Sequence, residues 1–263
     1  METIEAMIIA LKLFLTPLFI ALITLVGRRW GPLVSGLLMG LPLSSGPISI
    51  ILAAQYGPEF ASRSAVASLC GQASVCIFCL VYSFAARKTP WPASTAVALA
   101  AFGAATLVWN QFGWSLLTAG VLLAAVIALA LHLIPRDTEV SAAALPPRWD
   151  LPARMALAAA FVFLLTSTAD SLGPRLSGLI SPLPVFGSVI AAFTHHQQGA
   201  RPAARLLRGM VAGSWAFAVF FLTTGALLPV LNAVLVYCLA ALAALGVGAG
   251  ILIRSLQQAR SSN

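Results

Sequence analysis

The sequence predicts an all-α membrane protein: nine transmembrane helices in a 4+1+4 inverted-topology internal repeat, with broken helices 2 and 7. Three observations predict it. First, 60% of the 263 residues are hydrophobic and only 8% are charged, against roughly 25% charged in soluble domains. Second, the apolar runs are about twenty residues long and do not alternate in polarity. With no water to satisfy backbone groups in hydrocarbon, only helices or closed barrels can span it, and runs of this length fit helices. Third, the chain contains itself twice. Residues 31–80 align without a gap on residues 173–222, and fifteen of the fifty positions are identical. The motif G-P-x-x-S-G-L-x-x-x-L-P at Gly31–Pro42 recurs at Gly173–Pro184, and Gln55, Gly57, Arg63 and Gly71 find Gln197, Gly199, Arg205 and Gly213. A repeat this long in an apolar chain marks two structural halves, a construction shared by many secondary transporters.

The expected spans are 4–26, 32–56, 62–86, 92–109, 114–134, 153–171, 174–196, 204–226 and 229–253. Glu2 and Glu5 stand where a signal peptide carries basic residues, and no A-x-A-like site follows. The first span is therefore expected to stay in the mature chain. The long polar connection 135–151, with Arg136, Asp137, Glu139, Arg148 and Asp150, reads as the linker between halves. The units are then 1–111, a linking helix and linker at 112–152, and 153–263.

Nine spans put Arg28, Arg29, Arg87, Lys88, Arg136, Arg148, Arg154, Arg201, Arg205, Arg208, Arg254 and Arg260 on one side, and only Arg63 and Arg175 on the other. The positive-inside rule makes the basic side cytoplasmic, with the N-terminus outside. The net charge of +8 is thus a matter of orientation rather than nucleic-acid binding. Shifting the spans by the repeat pairs one to four with six to nine, leaving the fifth alone. One unpaired helix makes the second unit enter from the opposite face, inverted about an axis in the membrane plane. Trp30, Trp91, Trp109, Trp114 and Trp149 fall near interfaces, where amphipathic rings anchor; Trp215 is the exception, near the middle of span eight.

The candidate site lies at paired interruptions. Span two carries Pro42, Ser44, Ser45, Gly46 and Pro47, and span seven carries Pro182, Pro184, Gly187 and Ser188. Proline removes a backbone donor and clashes with the preceding turn, so both helices should break near mid-membrane. Ser45 or Gly46 can cap a new half-helix with Pro47 at its first position. Two such starts would offer free N–H groups and dipole ends suited to a carboxylate or phosphate. Packing kinks are the simpler alternative. The candidate charge or coupling partners are Lys12, Gln72 and Asp170. Lys12 can instead snorkel to the interface, and Asp170 can be solvated there or pair with Arg175.

Gly36 and Gly40, like Gly246 and Gly250, form G-x-x-x-G pairs that permit close helix approach, within the monomer or at a homodimer face. Cys70, Cys76, Cys79 and Cys238 lie in spans and read as packing residues. His195, His196, Gln197 and Gln198 form a polar knot with too few ligands for a metal; a cytoplasmic gate or a lipid-headgroup contact is open to it. No nucleophile–base arrangement or phosphate loop is present, so no enzyme, metal or cofactor is expected.

The segment from Val26 to Ala85, with G-P-L-V-S-G-L-L-M-G-L-P-L-S-S-G and the turn Q-Y-G-P-E, resembles the small bacterial inner-membrane proteins called GlpM-like. The resemblance implies a unit of about four spans, of which this chain is similar to a fused, oppositely oriented double. It supplies no functional residues. The expected function is a small secondary transporter of the bacterial inner membrane, moving a small solute by alternating access, with an organic anion as one candidate. Membrane lipids and that solute are the expected partners, with no nucleic acid. A non-transporting scaffold or accessory subunit in envelope or exopolysaccharide assembly, or a lipid-carrier flippase, are the alternatives.

Overall fold

The computed structural model describes residues 17–43, 45–135, 149–160 and 184–261, and every regular element among them is helical. In chain order these are α1 (17–30), α2 (Pro32–Met39), α3 (Ser45–Tyr56), α4 (Pro58–Ala85), α5 (Trp91–Trp109), α6 (Leu116–Leu133), α7 (150–160), α8 (Val185–Gln198), α9 (Ala200–Leu227) and α10 (Ala233–Ser261). Five of them are long and apolar enough to cross a bilayer: α4, α5, α6, α9 and α10 up to Ser255. They match expected spans three, four, five, eight and nine. Spans one, six and seven extend beyond the described residues.

Span two is interrupted where its prolines stand. Helix α2 ends at Met39 with Gly40 as its C-cap, and α3 begins at Ser45. The new helix starts less cleanly than expected. The Gly46 N–H already donates to Pro42 O at 2.9 Å, and Pro47 sits inside the first turn rather than at its first position. Span seven shows only its second half, α8, which begins directly after Pro184.

Three joints are as tight as a chain allows. Gly31, Gly57 and Gly199 each link two helices with a φ near 90°, a region L side chains rarely adopt. Pro32 and Pro58 then open α2 and α4, where the missing N–H is no loss. These joints carry the repeat into three dimensions. The 142-residue shift takes Pro58–Ala85 onto Ala200–Leu227 end for end, and Gly57 onto Gly199.

Helices α4 and α9 form the centre and run antiparallel. Ser62 Oγ donates to Gly225 O at 2.6 Å near one end, while Gln72 Nε2 donates to Ser214 Oγ at 2.8 Å further along. Residues 72 and 214 are separated by 142 positions, so the two copies of one sequence position meet each other there. Helix α6 runs antiparallel to α9: Leu116 lies against Gly225, and the Arg208 guanidinium donates to Leu131 O at 2.5 Å and to Ile134 O at the far end. That contact satisfies orphan carbonyls at the C-terminus of α6.

Hydrocarbon tails are as apolar as leucine, so close packing and interhelical polar contacts hold such a bundle together rather than water exclusion. The tightest seam is α2 on α9. A Cβ built on Gly36 would collide with Leu206 O, on Gly40 with Met210 O, on Gly209 with Leu33 O and on Gly213 with Leu37 O. Backbone thus lies on backbone along both G-x-x-x-G faces, within the monomer. Gly246 and Gly250 meet nothing within 4 Å. Helix α10 is tied to the broken span through Tyr237, whose hydroxyl donates to Ser49 O at 2.7 Å.

Candidate functional site

A cavity of about 780 Å³ runs beside α4. Its lining spans Arg63 to Val75 on that helix, about 18 Å of axial length at 1.5 Å per residue. It therefore reaches from one end of α4 past its middle. The wall opposite is α3, through Ser45, Ile48, Ser49 and Leu52. Pro184, Val185 and Phe186 at the start of α8 join Met39 and Leu41 at the deep end. The break in span two and the start of the second half of span seven thus border one space. At the mouth, Trp114 donates its indole N–H to Trp109 O at 2.8 Å, and the Trp109–Trp114 and Phe112–Trp114 rings pack edge to face.

Among the residues anticipated for the site, Ser45, Gln72 and Pro184 line the cavity. Pro42 accepts the Gly46 amide in the turn before α3. Gly46 packs on Phe220 and Gly187 on Met210. Ser188 is buried and donates back to Val185 O at 3.1 Å, a local helix contact. Pro47 is half-buried in the first turn of α3. Lys12, Ser44, Asp170 and Pro182 lie outside the described residues. By sequence, the 142-residue shift takes Lys12 onto Arg154.

The opposite end of the bundle is held by an ionic cluster. Asp150 is fully buried. It accepts from Arg28 Nη2 and Arg154 Nε, both at 2.9 Å, and from Gln197 Nε2 at 2.5 Å. Arg154 is 4% exposed and also sits over the Phe193 ring at 4.9 Å. One carboxylate therefore joins α1, α7 and the C-terminus of α8. Burial alone would raise the Asp150 carboxyl. Hydrogen bonds from Arg154 and Gln197, the Arg154 charge and the Arg28 bond outweigh it and hold the group below the ordinary value of 3.8. Beside the cluster, the Tyr82 hydroxyl lies 3.4 Å from His195 Nδ1, and His196 packs edge-on to Trp91.

Sequence reasoning put Asp150 in a solvated linker and did not single out Arg28 or Arg154. A signal for the cluster was present: acid and base four residues apart, Asp150 and Arg154, at the entrance of an apolar run. Tyr237 and its bond to Ser49 were not anticipated either. The polar knot is divided by the fold, with Gln197 in the ionic cluster and both histidines against aromatic rings. Cys76 and Cys79 are buried, and all four cysteines are free. Asn232 is exposed and accepts the Val234 N–H at 2.9 Å, acting as the cap of α10.

The helices, their apolar lengths and the internal cavity define a multi-pass all-helical membrane protein. No family model, curated protein or solved structure matches the chain.

Proposed function

We propose that this chain is a small secondary transporter of a bacterial inner membrane, carrying a small solute by alternating access between inverted four-helix halves. The observation that carries the reading is the cavity. It runs from the Arg63 end of α4 past the middle of that helix and is bordered by the break in span two and by the start of α8. Helix interruptions in corresponding positions are where transporters of this construction bind.

The geometry of α4 and α9 supports the inversion. Two copies of one unit lying antiparallel, with positions 72 and 214 in mutual contact, are what a twofold axis perpendicular to both helices would give. For helices that cross a membrane, such an axis lies in the membrane plane. On this reading the chain has nine spans, with the N-terminus outside and the C-terminus in the cytoplasm, as the distribution of basic residues favours. The cavity then opens outside, at the end of Arg63, and the Asp150 cluster closes the cytoplasmic end. The volume favours a transporter over a scaffold, for which no such space is needed.

Substituted-cysteine labelling at residue 45, with Ser188→Cys beside it, tests the reading. A transporter exposes residue 45 to impermeant thiol reagents from both aqueous sides in turn. Labelling from neither side, or from the outside alone under all conditions, overturns it.

A further inference from the structure

We propose that the cavity is selective for small organic anions, with Arg63 as the charge that recognises them at the outer mouth and Arg205 as its counterpart at the other. The inference rests on the transporter reading and adds the chemical class of its substrate.

Among the described residues that line the cavity, Arg63 is the only charged one. Among the described residues its nearest acid is Glu59, at 4.0 Å, with both side chains about four-fifths exposed. A pair so loose and so wet leaves most of the Arg63 charge available. The remaining polar lining is mostly hydroxyl and amide, with Ser45, Ser49, Gln72, Thr106 and Asn110 among it. Among the described residues, two wall side chains carry a buried polar atom with no partner. Thr106, 8% exposed, leaves its Oγ1 unpaired, and Trp109 leaves its Nε1 unpaired. An indole N–H can only donate, so it wants an acceptor. The positive ends of α3 and α8 border the same space. The guanidinium and the helix N-termini favour negative charge, the hydroxyls and amides can serve an anion as donors, and a confined cleft focuses the field of the charged groups.

The repeat supplies an independent observation. Arg63 is one of the fifteen positions identical between the halves, and its counterpart Arg205 occupies the equivalent place on α9. Arg205 Nε is buried with no partner among the described residues. If the halves exchange roles, the cavity that opens on the cytoplasmic side is bordered by Arg205 where the outer one is bordered by Arg63. An anion would then meet a guanidinium at each exit.

Cys70 makes the test possible without knowing the substrate. It lines the cavity and is partly exposed, whereas Cys76 and Cys79 are fully buried. With Cys238→Ala removing the exposed thiol, the reaction rates of sulfonatoethyl and trimethylammonioethyl methanethiosulfonate at Cys70 are compared. Their ratio, normalised to the same ratio for a free thiol in solution, cancels the thiolate fraction and the reagents' intrinsic difference and reads the local potential. Arg63 stands seven residues away, about 10 Å along the helix, which at an intermediate dielectric makes the anionic reagent about ten-fold faster. Arg63→Gln should remove most of that preference and Arg63→Lys should keep it. Equal rates, a faster cationic reagent, or no reaction with either overturns the proposal. Two-sided labelling at residue 45 is read with one reagent throughout, so anion selectivity can fail there while the transporter reading stands.

Discussion

Replacing Asp150 with asparagine removes the charge on which the closed end of the bundle converges. The side chain keeps its shape and one acceptor oxygen. It loses both ion pairs and leaves Arg154, 4% exposed, as a buried cation with no counter-charge among the groups that hold it. Removing one partner of a buried pair costs about 3–5 kcal/mol, because the other charge remains desolvated. Arg28→Gln is the internal control. Its side chain is 35% exposed, so water replaces the lost contact and the cost is about 0.5 kcal/mol. At roughly 2–4 °C per kcal/mol for a chain of this size, Asp150→Asn should lower the unfolding temperature by about 10 °C and Arg28→Gln by about 2 °C. In a background lacking Cys70 and Cys238, Cys76 and Cys79, fully buried, report unfolding through a thiol-reactive fluorophore in detergent. The pH dependence has a definite sign. The folded carboxyl titrates below its ordinary value of 3.8, so its contribution is complete above that value and is lost as pH falls through the folded one. The difference between parent and Asp150→Asn should hold from pH 8 to pH 5 and narrow only below about pH 4. Equal shifts for Asp150→Asn and Arg28→Gln, or a difference that vanishes near pH 6, would refute the reasoning.

Two further substitutions probe the packing. Gly213→Ala drives a methyl into Leu37 O, a backbone atom that cannot turn aside, and should cost about 1–3 kcal/mol. Gly250→Ala, with nothing within 4 Å of the new carbon, should leave stability unchanged or slightly raised; thermal unfolding should show a clear loss for Gly213→Ala and none for Gly250→Ala. Tyr237→Phe deletes the bond to Ser49 O without changing volume, and should cost about 1 kcal/mol. It should also raise the labelling rate of a cysteine at residue 45, because α3 is then no longer strapped to α10.

Hydrophobic run length and proline spacing made the five long helices and the break near Pro42 legible, since both act within one segment. The glycine joints were legible in the 142-residue shift: Gly57 and Gly199, which it pairs, stand at joints of the same geometry. What escaped was set by contacts between distant segments. Helices α4 and α9 begin four residues earlier than their apolar runs, since a glycine joint lets a polar first turn continue straight from the previous helix. Asp150 reads as linker because its neighbours Arg148 and Trp149 are polar or interfacial. Only the approach of Arg28 and Gln197 from α1 and α8 makes it a buried centre. The cavity itself could be anticipated at Ser45 and Pro184, but the contribution of α5 through Thr106 and Trp109 could not, because nothing in an apolar helix announces which face meets a void.

Inversion of the halves is the claim on which the rest stands, and one pair of equivalent positions tests it directly. Tyr56 at the end of α3 and Gln198 at the end of α8 are related by the 142-residue shift. Each is replaced by cysteine in a background lacking Cys70 and Cys238, and labelled in sealed vesicles with an impermeant maleimide. Inverted halves place residue 56 outside and residue 198 in the cytoplasm, so the two label from opposite faces. Labelling of both from the same face would mean a parallel duplication and would contradict the account.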